Sequence, residues 1–325
     1  MRDDLGDYNA MLERFRAKHR ELEEAGQRVR LYALLDQGGL TSQERRSLGD
    51  PEEPHGVSLY AGSGLDSLEA VGPVLLEMPD VCSIEPLTYT SLSGDDSTAG
   101  RFVRLLSLAW RNAARVTWIW TPHDADALVE HLQTLLHAHL EADDDAWFFF
   151  YYPSHLNVLY EQLPAATRQY VFGPVHAWWM LDVHGELVEL QGECAQVPHA
   201  WDVLPIPADV AVALQRAAMP AQVYAWLKQA RLGPIDGECY NEQLAQITPL
   251  VERAQEVYGL SRLMDLATFV AYGLRYQVDY DLHPEVAAAL ADTATQGGPL
   301  ASAYRRVKAG AWRELAQSAP QRVQA

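Results

Sequence analysis

A mixed sheet flanked by helices in an α+β or α/β lobe, followed by an all-α lobe, is the fold class this sequence predicts. Three observations carry it. Through about residue 200, short runs rich in β-branched and aromatic residues alternate with amphipathic stretches. From about Pro207, alanine- and leucine-rich helical patterns follow one another. The 325 residues, 48% of them hydrophobic and 21% charged, supply enough apolar material for a sizeable core. The division is placed at residues 1–200 and 201–325, with no fixed-period repeat in either part.

Each element follows from local pattern. Residues 8–25 place Met11, Leu12, Phe15 and Leu22 near one helical face, and Gly26 offers a C-cap. Val29–Leu35 reads as a strand. Residues 37–56 are polar and turn-rich, a loop or short helix. Residues 57–62 and 72–78 read as short strands. Residues 79–100 read as irregular, with "SGDDSTAG" (93–100) an exposed loop. Residues 101–112 read as a helix and 115–120 as a strand. "TPHD" then starts a helix, with Thr121 as cap, Pro122 at the first helical position and Asp124 three residues after the cap. Leu128, Leu132, Leu135 and Leu136 carry its apolar stripe to about Leu140. "EADDD" (141–145) is a turn.

"WFFFYYP" (Trp147–Pro153) is the most unusual stretch. Six aromatics in a row cannot all lie on one face of a strand, so a strand here requires cover on both faces. Phe148 and Phe150 would face one layer, Phe149 and Tyr151 the other. Tyr151 and Tyr152, at the strand's end, would bring their hydroxyls to water or a polar partner. Residues 154–163 read as a short helix. "QYVFGPV" and "HAWWMLDV" read as strands broken at Gly173-Pro174, with one more strand at 186–192. Helices follow at 208–218, 220–231, 237–258, 261–277, 283–295 and 299–317.

Motifs for chemistry are sparse. "GSGLDS" (62–67) lacks the G-x-S-x-G spacing of a nucleophile elbow and reads as a polar turn. No G-x-G-x-x-G or phosphate-loop lysine occurs. His131, His137 and His139 share one predicted helix without an H-E-x-x-H pair, and read as structural histidines. His123, His155, His176, His184 and His199 are scattered near strand ends. "VDYDLHPE" (278–285) lacks the glycine and terminal glutamate of a calcium loop. Cys82, Cys194 and Cys239 give neither a disulfide framework nor a zinc spacing. No catalytic residue, metal or cofactor is expected. Trp178 and Trp179 are adjacent, so on a strand one of them points away from the core. Trp201, Trp226 and Trp312 are further aromatic candidates for partner contact.

Charge excludes some partners. Twenty-five Lys and Arg against 44 Asp and Glu give a formal charge of −19. No basic run is present to neutralise phosphates, so nucleic acid is not expected, nor is an anionic membrane surface. The charged opening residues lack a signal-peptide core, and no stretch approaches about 18 apolar residues. A reduced, cytoplasmic protein is the expectation.

Several segments, taken together in order, carry a resemblance. They are "RLYALLD" (30–36), "SLYAGSGLDSLEAVGPVLLEM" (58–78), "DALVEHLQTLLHAHL" (126–140), "WFFFYYPSHLNVL" (147–159) and "YVFGPV" (170–175). Over about residues 29–185 the chain resembles the domain of unknown function 4123 family, the type VI secretion adaptor or effector-chaperone proteins. Residues 258–290 resemble the helical lobe that many of those proteins carry. The resemblance implies a non-catalytic cytoplasmic adaptor that loads a toxic effector onto the valine-glycine-repeat spike of a contractile injection machine. It implies an α/β lobe that grips the spike or an effector segment, and a helical lobe that helps choose cargo. Tyr32, Asp36, Leu59, Tyr60, Gly72, Pro73, Pro153, Phe172, Gly173 and Pro174 are the matching positions, mainly structural.

The chain also departs from the family's F-R-F-Y-D-P-R-V-L. Phe149 replaces the strand arginine, Tyr152 the aspartate before proline, and Ser154 the arginine after it. Partner contact is therefore expected at Tyr151, Tyr152, Ser154 and His155, with Trp178, Trp179 and Trp201 as further candidates. The alternatives left open are a hydrolase-type enzyme with a site built from scattered His, Asp and Ser, and an immunity protein that binds a toxin.

Overall fold

The computed structural model describes residues 4–38, 40, 56–89, 97–140, 145–194, 203–232, 235, 239–277 and 279–318. They fall into two compact units, Met1–Ala217 and Ala218–Ala325. The sequence pattern changes near residue 200, whereas the units divide later, inside a helix.

The first unit begins with α1 (Leu5–Glu24), capped by the Asp4 carboxylate, which accepts from the Gly6 N–H at 3.3 Å. Its strands are β1 (Arg30–Asp36), β2 (Val57–Ser58), β3 (Pro73–Glu77), β4 (Val116–Thr121), β5 (His137–Leu140), β6 (Asp145–Trp147), β7 (Ala177–Leu181), β8 (Leu187–Gln191) and β9 (Leu204–Ile206). Between them lie α2 (Ser97–Arg111), α3 (Ala125–Thr134), α4 (Pro153–Gln162) and α5 (Ala165–Phe172). One sheet has the order β2-β3-β1-β4-β7-β8, antiparallel at every pairing. The smaller one, β6-β5-β9, is mixed: β5 runs antiparallel to β6 and parallel to β9.

Both faces of the large sheet are covered at its centre, so β1, β4 and β7 are buried along nearly their whole length. Leu31, Ala33 and Leu35 of β1 join Trp118 and Trp120 of β4 and Trp179 of β7 beneath α1 and α2. Phe15 of α1 packs edge-on against Trp118 and Trp179, with ring centroids 5.5 and 4.9 Å away. On the other face, Tyr32, Leu34, Ile119, Trp178 and Met180 pack with α3, α4, α5 and the small sheet. Each fully buried large side chain contributes ~2–3 kcal/mol.

Several elements differ from the sequence pattern. Residues 97–100 already belong to α2, so the exposed loop read at 93–100 does not extend over them. Thr121 ends β4, and Asp124 caps α3 by accepting from the Ala127 N–H at 3.0 Å. That helix stops at Thr134; Leu135 and Leu136 turn, and His137 and His139 lie on β5. The leucine spacing is met because all four leucines enter one core. "QYVF" is the end of α5, since a short buried apolar run does not by its period distinguish strand from helix. β2 keeps only two of the six residues read as strand.

The second unit is helical. α6 (Ala208–Ala230) passes unbroken through Pro220, where two helices were expected. Val210 and Leu214 lie in the first unit's core, Val223 and Leu227 in the second's. α7 (Tyr240–Tyr258) ends at Gly259, whose left-handed φ of 63° is open to glycine without strain. α8 (Leu263–Arg275) and α9 (Pro284–Gln296) follow. The single helix expected at 299–317 is two, α10 (Leu300–Tyr304) and α11 (Ala309–Ser318). Buried Asp281 is bonded by Arg253 Nε at 2.8 Å and by the Tyr258 hydroxyl at 2.5 Å. Among the described residues no helix is long and apolar enough to cross a membrane.

Candidate functional site

The aromatic run is a turn, not a two-faced strand. Trp147 ends β6 opposite His137, and the Phe148 N–H donates to the Leu136 carbonyl at 2.7 Å. Pairing stops there, and the chain folds over to Pro153, the first residue of α4. His155 clamps the turn: its Nδ1–H donates to the Phe149 carbonyl at 2.9 Å, and its ring stacks on Phe148 at 5.8 Å. Burial lowers the His155 pKa, so the ring stays neutral near pH 7.

The turn sorts its six rings in a way a strand cannot. Phe150 is fully buried, edge-on to Trp178 at 6.1 Å. Tyr151 is buried as well. Trp147 and Phe149, at 39% and 36% exposure, stand at the surface. Phe148 and Tyr152 are partly buried against the same core. Trp147 rests beside His137 at 4.0 Å and over Gly64, where a Cβ would come within 3.2 Å of the indole.

Residues distant in sequence converge behind the turn. The Tyr60 and Tyr151 hydroxyls lie 3.0 Å apart, and Phe149 approaches both rings, at 6.5 and 6.3 Å. Tyr151 and Tyr152 are 4.9 Å apart. Gly72 backs the Tyr60 ring so closely that a Cβ would sit 2.3 Å from it. Asp36, at the end of β1, accepts from Arg115 at 2.8 Å and from the Gly38 N–H at 2.9 Å. The β1–β4 register pairs Leu35 with Val116, which brings Asp36 opposite Arg115.

Electrostatics keeps these phenols protonated. Burial raises Tyr60, Tyr151 and Tyr152, the last to about 12, and the Asp36 charge adds to each. At neutral pH they can hydrogen-bond and stack; they are not bases.

The expected residues divide. Tyr151, Tyr152 and His155 share the turn, and Ser154 is exposed in the first turn of α4. Trp178 and Trp179 are both buried, on opposite faces of the large sheet, so the expectation that one points away from the core is overturned. The reason is cover on both faces. Trp201 and His199 lie outside the described residues. Trp226 and Trp312 pack on the helical core, Trp312 stacking on Tyr276 at 5.2 Å. Among the matching positions, Asp36, Tyr60 and Gly72 meet at the turn. Leu59 donates its N–H to the Pro73 carbonyl at 3.0 Å, Tyr32 and Phe172 are core, and the Pro174 carbonyl accepts from Thr121 at 2.8 Å beside Gly173.

Two features escaped the sequence reading. Arg115 reads only as the first residue of the strand at 115–120, whereas β4 begins after it, at Val116. Cys194 lies 2.6 Å from His176 Nδ1, and the other ring nitrogen of His176 is 2.9 Å from the Arg28 carbonyl. Burial pushes the Cys194 thiol up to about 11, which leaves it protonated at neutral pH. Nothing in their spacing, 176 and 194, marks them as a pair.

Comparison with known proteins gives one match. Residues 31–170, less than half of the chain, match the model of a family described as Domain of unknown function (DUF4123). That span runs from β1 into α5 and includes the whole aromatic turn. No curated protein and no solved structure matches the chain.

Proposed function

We propose that this chain is a non-catalytic adaptor of type VI secretion, which binds a toxic effector in the cytoplasm and loads it onto the secretion spike. The family match over residues 31–170 carries the reading, because that family is known in type VI secretion. The site is consistent with it. The aromatic turn offers Trp147 and Phe149 as exposed rings on a rigid base of Tyr60, Tyr151 and Phe150. Exposed aromatics on a preorganised base are the usual anchors of protein interfaces. Where relatives carry charges at 149, 152 and 154, this chain presents Phe149, Tyr152 and Ser154, which favours a more apolar partner segment. A folded adaptor that covers such a segment stabilises it by mass action until handover.

The test is retention of a type VI spike protein and a toxic effector, taken from the organism that encodes this chain, on the purified full-length chain. Retention of either supports the adaptor; retention of neither at any salt concentration removes it. The Trp147→Ala and Phe149→Ala double variant separately tests the face. Loss of two such anchors weakens binding ~30-fold or more, at ~2 kcal/mol or above. Thermal stability should fall only modestly, since both rings are partly exposed. Undiminished binding by the double variant would move the interface elsewhere.

A further inference from the structure

Away from the aromatic turn, the described residues contain one cluster with metal-binding chemistry. His19, on α1, faces Asp80 and Cys82 from the segment after β3, and one ligand atom from each lies within 4.8 Å of the others. Glu23, one helical turn beyond His19, brings a second carboxylate, its Oε2 3.3 Å from His19 Nδ1. That geometry makes no hydrogen bond, and Nδ1 is a buried nitrogen with none. We infer that His19, Asp80 and Cys82 bind a zinc-like divalent cation, which ties α1 to the segment after β3.

Position and chemistry both favour this. The turn holding Asp80 and Cys82 is anchored before any ion arrives: Arg16 Nε donates to the Val81 carbonyl at 3.2 Å, and Val81 and Ile84 are buried in the core under α1. Further along, Asn9 exchanges two hydrogen bonds with the Leu87 backbone, at 3.1 and 2.7 Å. The ligands therefore come from two segments already docked, which lowers the ordering cost of binding. An imidazole nitrogen, a thiolate and a carboxylate together suit Zn²⁺ better than Mg²⁺ or Ca²⁺, which prefer oxygen alone. Tetrahedral bonds of ~2.0–2.3 Å set ligand atoms ~3.3–3.8 Å apart, so atoms now within 4.8 Å of one another need close by only ~1–1.5 Å. The thiol loses its proton to solvent as the ion binds, and the imidazole binds through a nitrogen lone pair. Asp80 and Cys82 are exposed, which gives the ion an entry path and leaves a coordination position for water.

Untagged full-length protein, reduced and metal-free, is titrated with Zn²⁺ in a calorimeter. One equivalent should bind, and the melting temperature should rise by roughly 5–10 °C at a hundredfold excess over Kd. Cys82→Ser and His19→Ala should each weaken binding at least about tenfold. Cys194→Ser and Cys239→Ser should leave it unchanged. Co²⁺ should give a thiolate charge-transfer band that Cys82→Ser abolishes; because Cys82 is exposed, that variant still folds. Absence of saturable binding, or binding that survives Cys82→Ser, overturns the proposal. Loss on Cys194→Ser or Cys239→Ser would place the ion elsewhere and overturn it equally.

Discussion

His131 shows how burial alone sets a side chain's chemistry. It sits on α3 with its Nε2 3.4 Å from the Val171 carbonyl and its ring edge-on to Tyr170 at 5.4 Å. Burial lowers its pKa from 6.5 to about 4. The sign follows directly. Between those values the unfolded chain takes up a proton that the folded chain refuses, so stability is intact above pH 6.5 and falls as pH drops towards 4. The loss is at most about 3 kcal/mol. His155 and His176, also lowered by burial, act in the same direction. Urea midpoints at pH 7.5 and 5 should therefore differ in the wild type and differ clearly less in His131→Gln, which keeps a donor but cannot titrate. An equal acid loss in both proteins would show that His131 is not the group responsible.

At the scale of elements, the aromatic turn depends on a glycine twelve residues beyond Tyr60. Gly72 has extended backbone angles that any residue could adopt, so the demand is purely one of space. A methyl there would meet the buried Tyr60 ring at 2.3 Å. Gly72→Ala must push that ring, which breaks the Tyr60–Tyr151 pair and loosens the base under Phe149. We expect a loss of ~1–3 kcal/mol by urea denaturation, the range for overpacked cores. A loss under about 0.5 kcal/mol would mean that Tyr60 has room to move. This element also marks where sequence reading stops. β1, β4 and β7 are legible because β-branched and aromatic residues fill strands covered on both faces. The turn at 148–152 is equally aromatic, and composition alone cannot distinguish a wedge between two layers from a strand inside a sheet. The long-range partners Asp36, Arg115 and Tyr60 follow from register and packing, which one sequence does not print.

At the scale of the whole molecule, the helical end was legible from its alanine and leucine periodicity, but the boundary was not. Pro220 reads as a stop, yet removing one N–H costs less than α6 gains by placing Val223 and Leu227 in the second core. One helix thus serves two cores, with Val210 and Leu214 in the first. Leu214→Ala should cost ~2–5 kcal/mol, as should Leu227→Ala, since both leucines are buried. If the two units unfold separately, each cost appears only in its own unit. Hydrogen exchange should then speed up at β4 and β7 amides for Leu214→Ala, and at α7 and α8 amides for Leu227→Ala. Faster exchange in both sets from either variant would show instead that α6 couples the cores into one cooperative fold. In that case a partner bound at the aromatic turn would also raise the stability of the helical unit.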